Sequence, residues 1–109
     1  MANAAALILL KARAWIDLTA RKKAGESVDS KKIKKHRRDV FALAATLPNK
    51  KGPRLPESVL SDLRRFHGSF PPTHGDWRAI LDSIAGDIGG RPSPGELLGA
   101  IAGYFAFPS

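Results

Sequence analysis

The sequence predicts an all-α fold, a compact bundle of about five helices in a single domain over residues 1–109. Three observations lead there. Apolar residues recur at spacings of three and four along several stretches. No stretch alternates apolar and polar residues for long enough to suggest a strand. Breakers and caps, among them Gly25, Pro48, Gly68 and Ser93-Pro94, cut the chain into helix-length pieces. With 43% hydrophobic residues, a chain of this length can bury one core, covering roughly two-thirds of its unfolded surface.

The first helix is expected over residues 4–23. Leu7, Leu10, Ala14, Trp15 and Leu18 make its inner stripe, and Ile8, Ala12 and Ile16 widen it. Gly25 ends it just past Arg21, Lys22 and Lys23, where the helix dipole favours cations. The second helix opens on Asp29 or Ser30 as N-cap and runs to Leu47, stopped by Pro48. Its inner face is Ile33, Val40, Ala44 and Leu47, with Phe41 and Leu43 beside it. These two helices (1–47) read as one antiparallel hairpin. Three shorter helices within residues 56–107 would pack across it. The third starts with Pro56 at its first position and carries Val59, Leu60, Leu63 and Phe66. The fourth is expected to open with Thr73 as cap and Asp76 closing the box, and carries Trp77, Ile80, Leu81 and Ile84. The fifth has the clearest start: Ser93 as cap, Pro94 first and Glu96 at the third position, ahead of Leu97, Leu98, Ile101, Tyr104 and Phe105.

Composition removes several function classes. There is no cysteine, which excludes disulfides and thiolate zinc sites. His36, His67 and His74 are scattered, and no carboxylates recur at metal-ligand spacing, so no metal or cofactor is expected in this chain alone. The apolar run at the N-terminus lacks a preceding basic segment and is shorter than the ~20 residues of a membrane span. It reads as the start of a buried helix, in a cytoplasmic protein with no membrane partner. No phosphate-binding loop, nucleophile elbow or zinc-protease helix is present.

Charge is strongly asymmetric. Of the net +8, residues 1–54 hold 14 Lys and Arg against 4 Asp and Glu, while residues 55–109 hold 4 against 6. Nine cations fall within residues 21–38. Lys31, Lys34, Lys35 and Arg38 share one helix face, with Arg37 beside them. Such a stripe repels itself, and an anionic partner relieves it. Phosphate is the natural candidate, from a nucleotide or from nucleic acid. A solvated surface face is the plainer alternative.

Two single residues stand out. Lys11 has Leu7, Ala14, Trp15 and Leu18 on its own face of the first helix. A lysine there must snorkel, find a partner or point into a cleft. Asp39 is the one acid between Asp29 and Glu57, in a helix crowded with cations. A helix-surface ion pair is its ordinary role.

The segment Leu10-Lys11-Ala12-Arg13-Ala14-Trp15-Ile16-Asp17-Leu18, followed by Asp29-Ser30-Lys31-Lys32-Ile33-Lys34-Lys35-His36-Arg37-Arg38-Asp39-Val40-Phe41, resembles the C-terminal helical region of bacterial AbiEii-type (abortive-infection, toxin–antitoxin) nucleotidyltransferase-like proteins. A later Leu-Pro-Glu-Ser-Val element, Leu55 to Val59, follows in the same order, so the likeness covers most of the chain. In that family a lysine on one helix is followed by a basic residue and an aspartate on the next. Lys11 and Arg38-Asp39 occupy those positions. The resemblance implies that Lys11 faces nucleotide phosphates and that Asp39 orients it or a neighbouring base across the cleft. It also implies a partner, because the family's N-terminal catalytic unit, with its Gly-Ser motif and metal-binding carboxylates, has no counterpart here. Nucleoside triphosphate and magnesium would engage only with that unit present.

Two readings follow. The chain is a phosphate-contacting helical domain of a nucleotidyltransferase-like protein, catalytically incomplete alone. The alternative is a stand-alone basic helical module that binds nucleic acid or an acidic protein. A homodimer is expected if the wide apolar arc of the first helix is left uncovered.

Overall fold

The computed structural model describes residues 3–90 and 92–107, with backbone alone at 87 and 88. The first two residues of the apolar N-terminal run and the side chain of Asp87 lie outside the described residues. Within them the chain forms five α-helices and no strand: α1 (Ala4–Lys23), α2 (Ser30–Ala44), α3 (Glu57–Gly68), α4 (Trp77–Ile88) and α5 (Pro94–Tyr104).

Local chemistry sets most boundaries. Asn3 caps α1 by accepting from the Ala6 amide at 2.8 Å. Gly25 ends it at φ 91°, where a side chain would be strained. The Glu26 amide then donates to the Arg21 carbonyl and the Gly25 amide to Lys22, which closes the helix as a Schellman turn. Asp29 caps α2 through the Lys31 amide at 2.9 Å, and Ser93 caps α5 through the Glu96 amide at 3.1 Å.

Three boundaries differ from the sequence reading. α2 stops at Ala44, not Leu47, because the chain tightens one turn before Pro48. The Thr46 and Leu47 amides donate three residues back, and the Thr46 hydroxyl takes the Leu43 carbonyl at 2.7 Å. Pro56 is the N-cap of α3, in extended conformation, rather than its first helical residue. Asp76, not Thr73, is the residue before α4, and its side chain makes no capping bond. That carboxylate is engaged by Arg37 instead.

α1 and α2 form an antiparallel hairpin, with Lys22 bonded to Ser30 near the turn and Lys11 to Asp39 further along. α3 packs on α1, and α4 and α5 pack on α2. One contiguous core draws on all five helices. At its centre Phe41 lies 4.7 Å from Trp77, 5.4 Å from Phe66 and 5.6 Å from Phe70, ring centre to ring centre. Trp15 closes this group at 5.2 Å from both Phe66 and Phe70. The Trp77 indole donates to the Pro71 carbonyl at 2.7 Å, which satisfies the polar end of a buried ring.

The inner face of α1 is the main correction. Ile8 and Ala12 are fully buried, and Ala5, Leu9, Trp15 and Ile16 pack against the core, while Leu10 is 63% exposed. The helix is apolar over most of its circumference, so periodicity alone could not choose the buried arc. The positions of α2 and α3 chose it. Val59, expected inside, is likewise exposed, and Phe70, read as a loop residue, is buried.

Ile8→Ala is expected to cost about 2–5 kcal/mol of stability and Leu10→Ala no more than about 0.5 kcal/mol, read by urea unfolding. Equal losses would mean that α1 buries a different face. Gly52→Ala is expected to destabilise as well, since a Cβ there overlaps the Tyr104 ring that the Gly52 backbone sits against.

Candidate functional site

The turn of α1 places Lys11 next to fully buried Ala12 and toward α2, so the lysine reaches across the hairpin. Its Nζ donates to Asp39 Oδ2 at 2.8 Å. Asp39 Oδ1 accepts from Arg38 Nη1 at 3.2 Å, and Arg38 Nε donates to the Ser83 carbonyl of α4 at 3.3 Å. Asp39 is thus a carboxylate held between two cations from two helices. The Lys11 and Asp39 side chains are 28% and 17% exposed, which protects the pair from full solvent screening while leaving a route to solutes. The ammonium has three donors, and one is given to Asp39.

The other cations sort by helix face. Lys31, Lys34 and Lys35 are exposed, as their stripe predicted. Arg37, expected on the surface, is only 14% exposed and bonds Asp76 Oδ2 through Nη1 at 2.9 Å. The reason is that α4 packs on this side of α2, so the long guanidinium lies between the helices. Lys34, Lys35, Arg37 and Arg38 then line a groove of about 340 Å³, with Asp76, Ala79 and Ser83 supplied by α4. Four cations against one carboxylate make it a region of positive potential.

Sequence reasoning did not find Asp76 or Ser83 as members of this site. Asp76 was legible only as a helix cap, and its partner lies 39 positions away. The Ser83 contribution is a backbone carbonyl, which carries no residue-type signal.

His36 is part of the same surroundings. Burial pushes its pKa below the ordinary 6.5, and the Lys11 cation adds to that, with Lys35 and Lys32 in the same direction and Asp39 opposing. Its Nδ1 is buried and has no hydrogen-bond partner among the described residues, so a proton there would find no acceptor.

No group of three His, Cys, Asp or Glu side chains among the described residues could hold a metal ion. Any carboxylate cluster for a metal-dependent step would have to come from elsewhere than the described residues. Nor, among the described residues, is any helix long and apolar enough to cross a membrane.

The His36 geometry fixes the sign of one pH effect. Its pKa is lowered in the folded chain, so the unfolded chain binds the proton first as pH falls through 6.5. Stability contributed by neutral His36 is complete above that pH and is lost below it. Thermal unfolding between the carboxylate range and pH 6.5 should show Tm falling with pH, and His36→Gln should flatten the slope. An unchanged slope in the variant would assign the effect to other groups.

No protein-family model, no curated protein and no solved structure matches this chain.

Proposed function

We propose that this chain is the phosphate-contacting helical domain of a nucleotidyltransferase-like protein of the bacterial AbiEii type, catalytically incomplete without its partner unit. The observation that carries the reading is the contact of Lys11 Nζ with Asp39 at 2.8 Å, with Arg38 on the other carboxylate oxygen. The three positions that the sequence likeness singles out lie on two helices, with Lys11 and Asp39 28 residues apart, and form one connected cluster. Asp39 orients both cations, and an oxyanion arriving beside them gains charge-assisted hydrogen bonds, roughly twice as strong as neutral ones. The neighbouring groove extends the positive surface along α2. The partner unit would supply the metal-binding carboxylates, and it is the first partner to seek.

A second reading has its own support. Lys31, Lys32, Lys34 and Lys35 are exposed on α2, which suits a nucleic acid or an acidic protein surface. Nucleic-acid binding of this kind weakens linearly in log salt.

One calorimetric and thermal-shift series separates the two. Each nucleoside triphosphate is added with magnesium at low salt to wild type, to Lys11→Ala and to a triple variant carrying Glu at 31, 34 and 35. The proposal expects a triphosphate-dependent rise in Tm and an affinity at least tenfold weaker in Lys11→Ala, about 1.5–3 kcal/mol for a charged contact. Asp39→Asn should weaken it in the same direction. No response to any triphosphate, with salt-sensitive RNA binding that only the triple variant loses, would move the function to the basic face.

A further inference from the structure

The fold distributes its carboxylates unevenly over the basic hairpin. Asp39 takes Lys11 and Arg38, Asp76 takes Arg37, and Asp17 takes Arg21. Asp29 gives its carboxylate to the Lys31 amide as a cap. Lys22, Lys23, Lys31, Lys32, Lys34 and Lys35 are exposed, and none of them pairs with a carboxylate among the described residues. Surface lysines are usually interspersed with acids. Here they are crowded together, and like charges so placed repel.

The hairpin brings the lysines of its two helices together. Lys22, near the end of α1, donates to the Ser30 hydroxyl at the start of α2. Lys22 and Lys34 line one cleft of the hairpin, and Lys34 and Lys35 line the next, with Arg37 and Arg38. The result is a cationic ridge that starts at the tip of the hairpin and follows α2. From Lys31 to Arg38 it covers about 10 Å of helix. A nucleic-acid duplex carries about six phosphates over that length.

We propose that this ridge docks on the phosphate backbone of a nucleic-acid duplex without reading its sequence. The inference rests on reading the outer face of α2 as a nucleic-acid surface, and it is separate from the Lys11 cluster. The residue type agrees. Lysine is a flexible point charge, and contacts to phosphate position a protein without specifying bases. A single strand is held by aromatic rings that stack on its bases, and residues 21–38 contain no Phe, Tyr or Trp. The nearest rings, Trp15 and Phe70, pack against each other at the core. A duplex also releases more counterions per contact than a single strand, about 0.9 against 0.7, so a ridge of bare charges gains more from it. An acidic protein fits less well. Protein interfaces are poor in lysine and rest on apolar anchors, and the exposed large hydrophobics, Leu10 and Val59, lie outside the ridge.

The test titrates the full chain with fluorescein-labelled DNA and RNA duplexes, each in two unrelated sequences, with their separated strands and with polyglutamate, over a range of salt. Wild type should bind at least one kind of duplex tenfold or more tighter than its own strands at low salt, and its two sequences within twofold of each other. The triple variant Lys31→Gln, Lys34→Gln, Lys35→Gln should lower the slope of log affinity against log salt by about 3, and the double variant Lys22→Gln, Lys23→Gln by about 2. Lys50→Gln with Lys51→Gln, exposed in the loop after α2, removes charge outside the ridge and should leave the slope unchanged. The ridge variants relieve repulsion, so their Tm should hold or rise, which separates lost binding from lost folding. Strands bound as tightly as duplexes overturn the proposal and leave the nucleic-acid reading standing. No binding of any nucleic acid overturns both, and binding of polyglutamate alone moves the ridge to an acidic protein. A slope that falls equally in the Lys50 and Lys51 variant overturns the ridge as the footprint, as does a slope untouched by the Lys22 and Lys23 variant.

Discussion

Everything in this molecule is arranged around Phe41. Its ring is fully buried and lies against Phe66 from α3, Phe70 from the following loop and Trp77 from α4. Trp15 of α1 joins through Phe66 and Phe70. Four of the five helices meet at these rings or next to them. Aromatic pairs at these separations prefer edge-to-face and tilted geometries, which restrict how neighbouring helices can rotate. Once Phe41 is placed inward, the register of α2 is set for its whole length. Arg37, Arg38 and Asp39 are then delivered to defined sides of the helix.

The polar contacts follow from that register. Arg37 falls between α2 and α4 and takes Asp76. Arg38 reaches the Ser83 carbonyl, and Asp39 turns to α1 and receives Lys11. These contacts are partly shielded from solvent to different degrees, and the Coulombic gain of each is offset by the desolvation it costs. Their role is better described as orientation. They hold cations in fixed places on a protein that otherwise repels itself through its basic half, and a fixed cation is what recognition of an oxyanion needs. His36 beside them lies where burial and cations disfavour a further positive charge.

Residue type made part of the candidate site legible. Lys11 looked anomalous because it broke an apolar stripe, and Asp39 because it was the lone acid in a cationic helix. That the two are partners was not legible as geometry. The stripe read as inner is only partly buried: Trp15 packs on the core, Ile8 and Ala12 beside it are fully inside, and Leu10 is out. On a helix that is apolar nearly all round, many arcs satisfy the same spacing, and the pattern has no preferred direction. Asp76 and Ser83 gave less warning still. One resembled a cap and one contributes only its backbone.

The sequence by itself determined the five helices, their hairpin start, the cap at Ser93, a cap at Asp29 or Ser30, the Gly25 stop and the basic half of the chain. These depend on spacing, on φ preference and on charge count, all of which act within a few residues. Tertiary structure decided which arc of α1 is buried, that Asp76 serves Arg37 instead of a helix end, and which cations face a cleft and which face water. The polar meetings among them join groups 28 to 45 positions apart. No local pattern encodes such a meeting, because it exists only once the aromatic core has drawn the helices together.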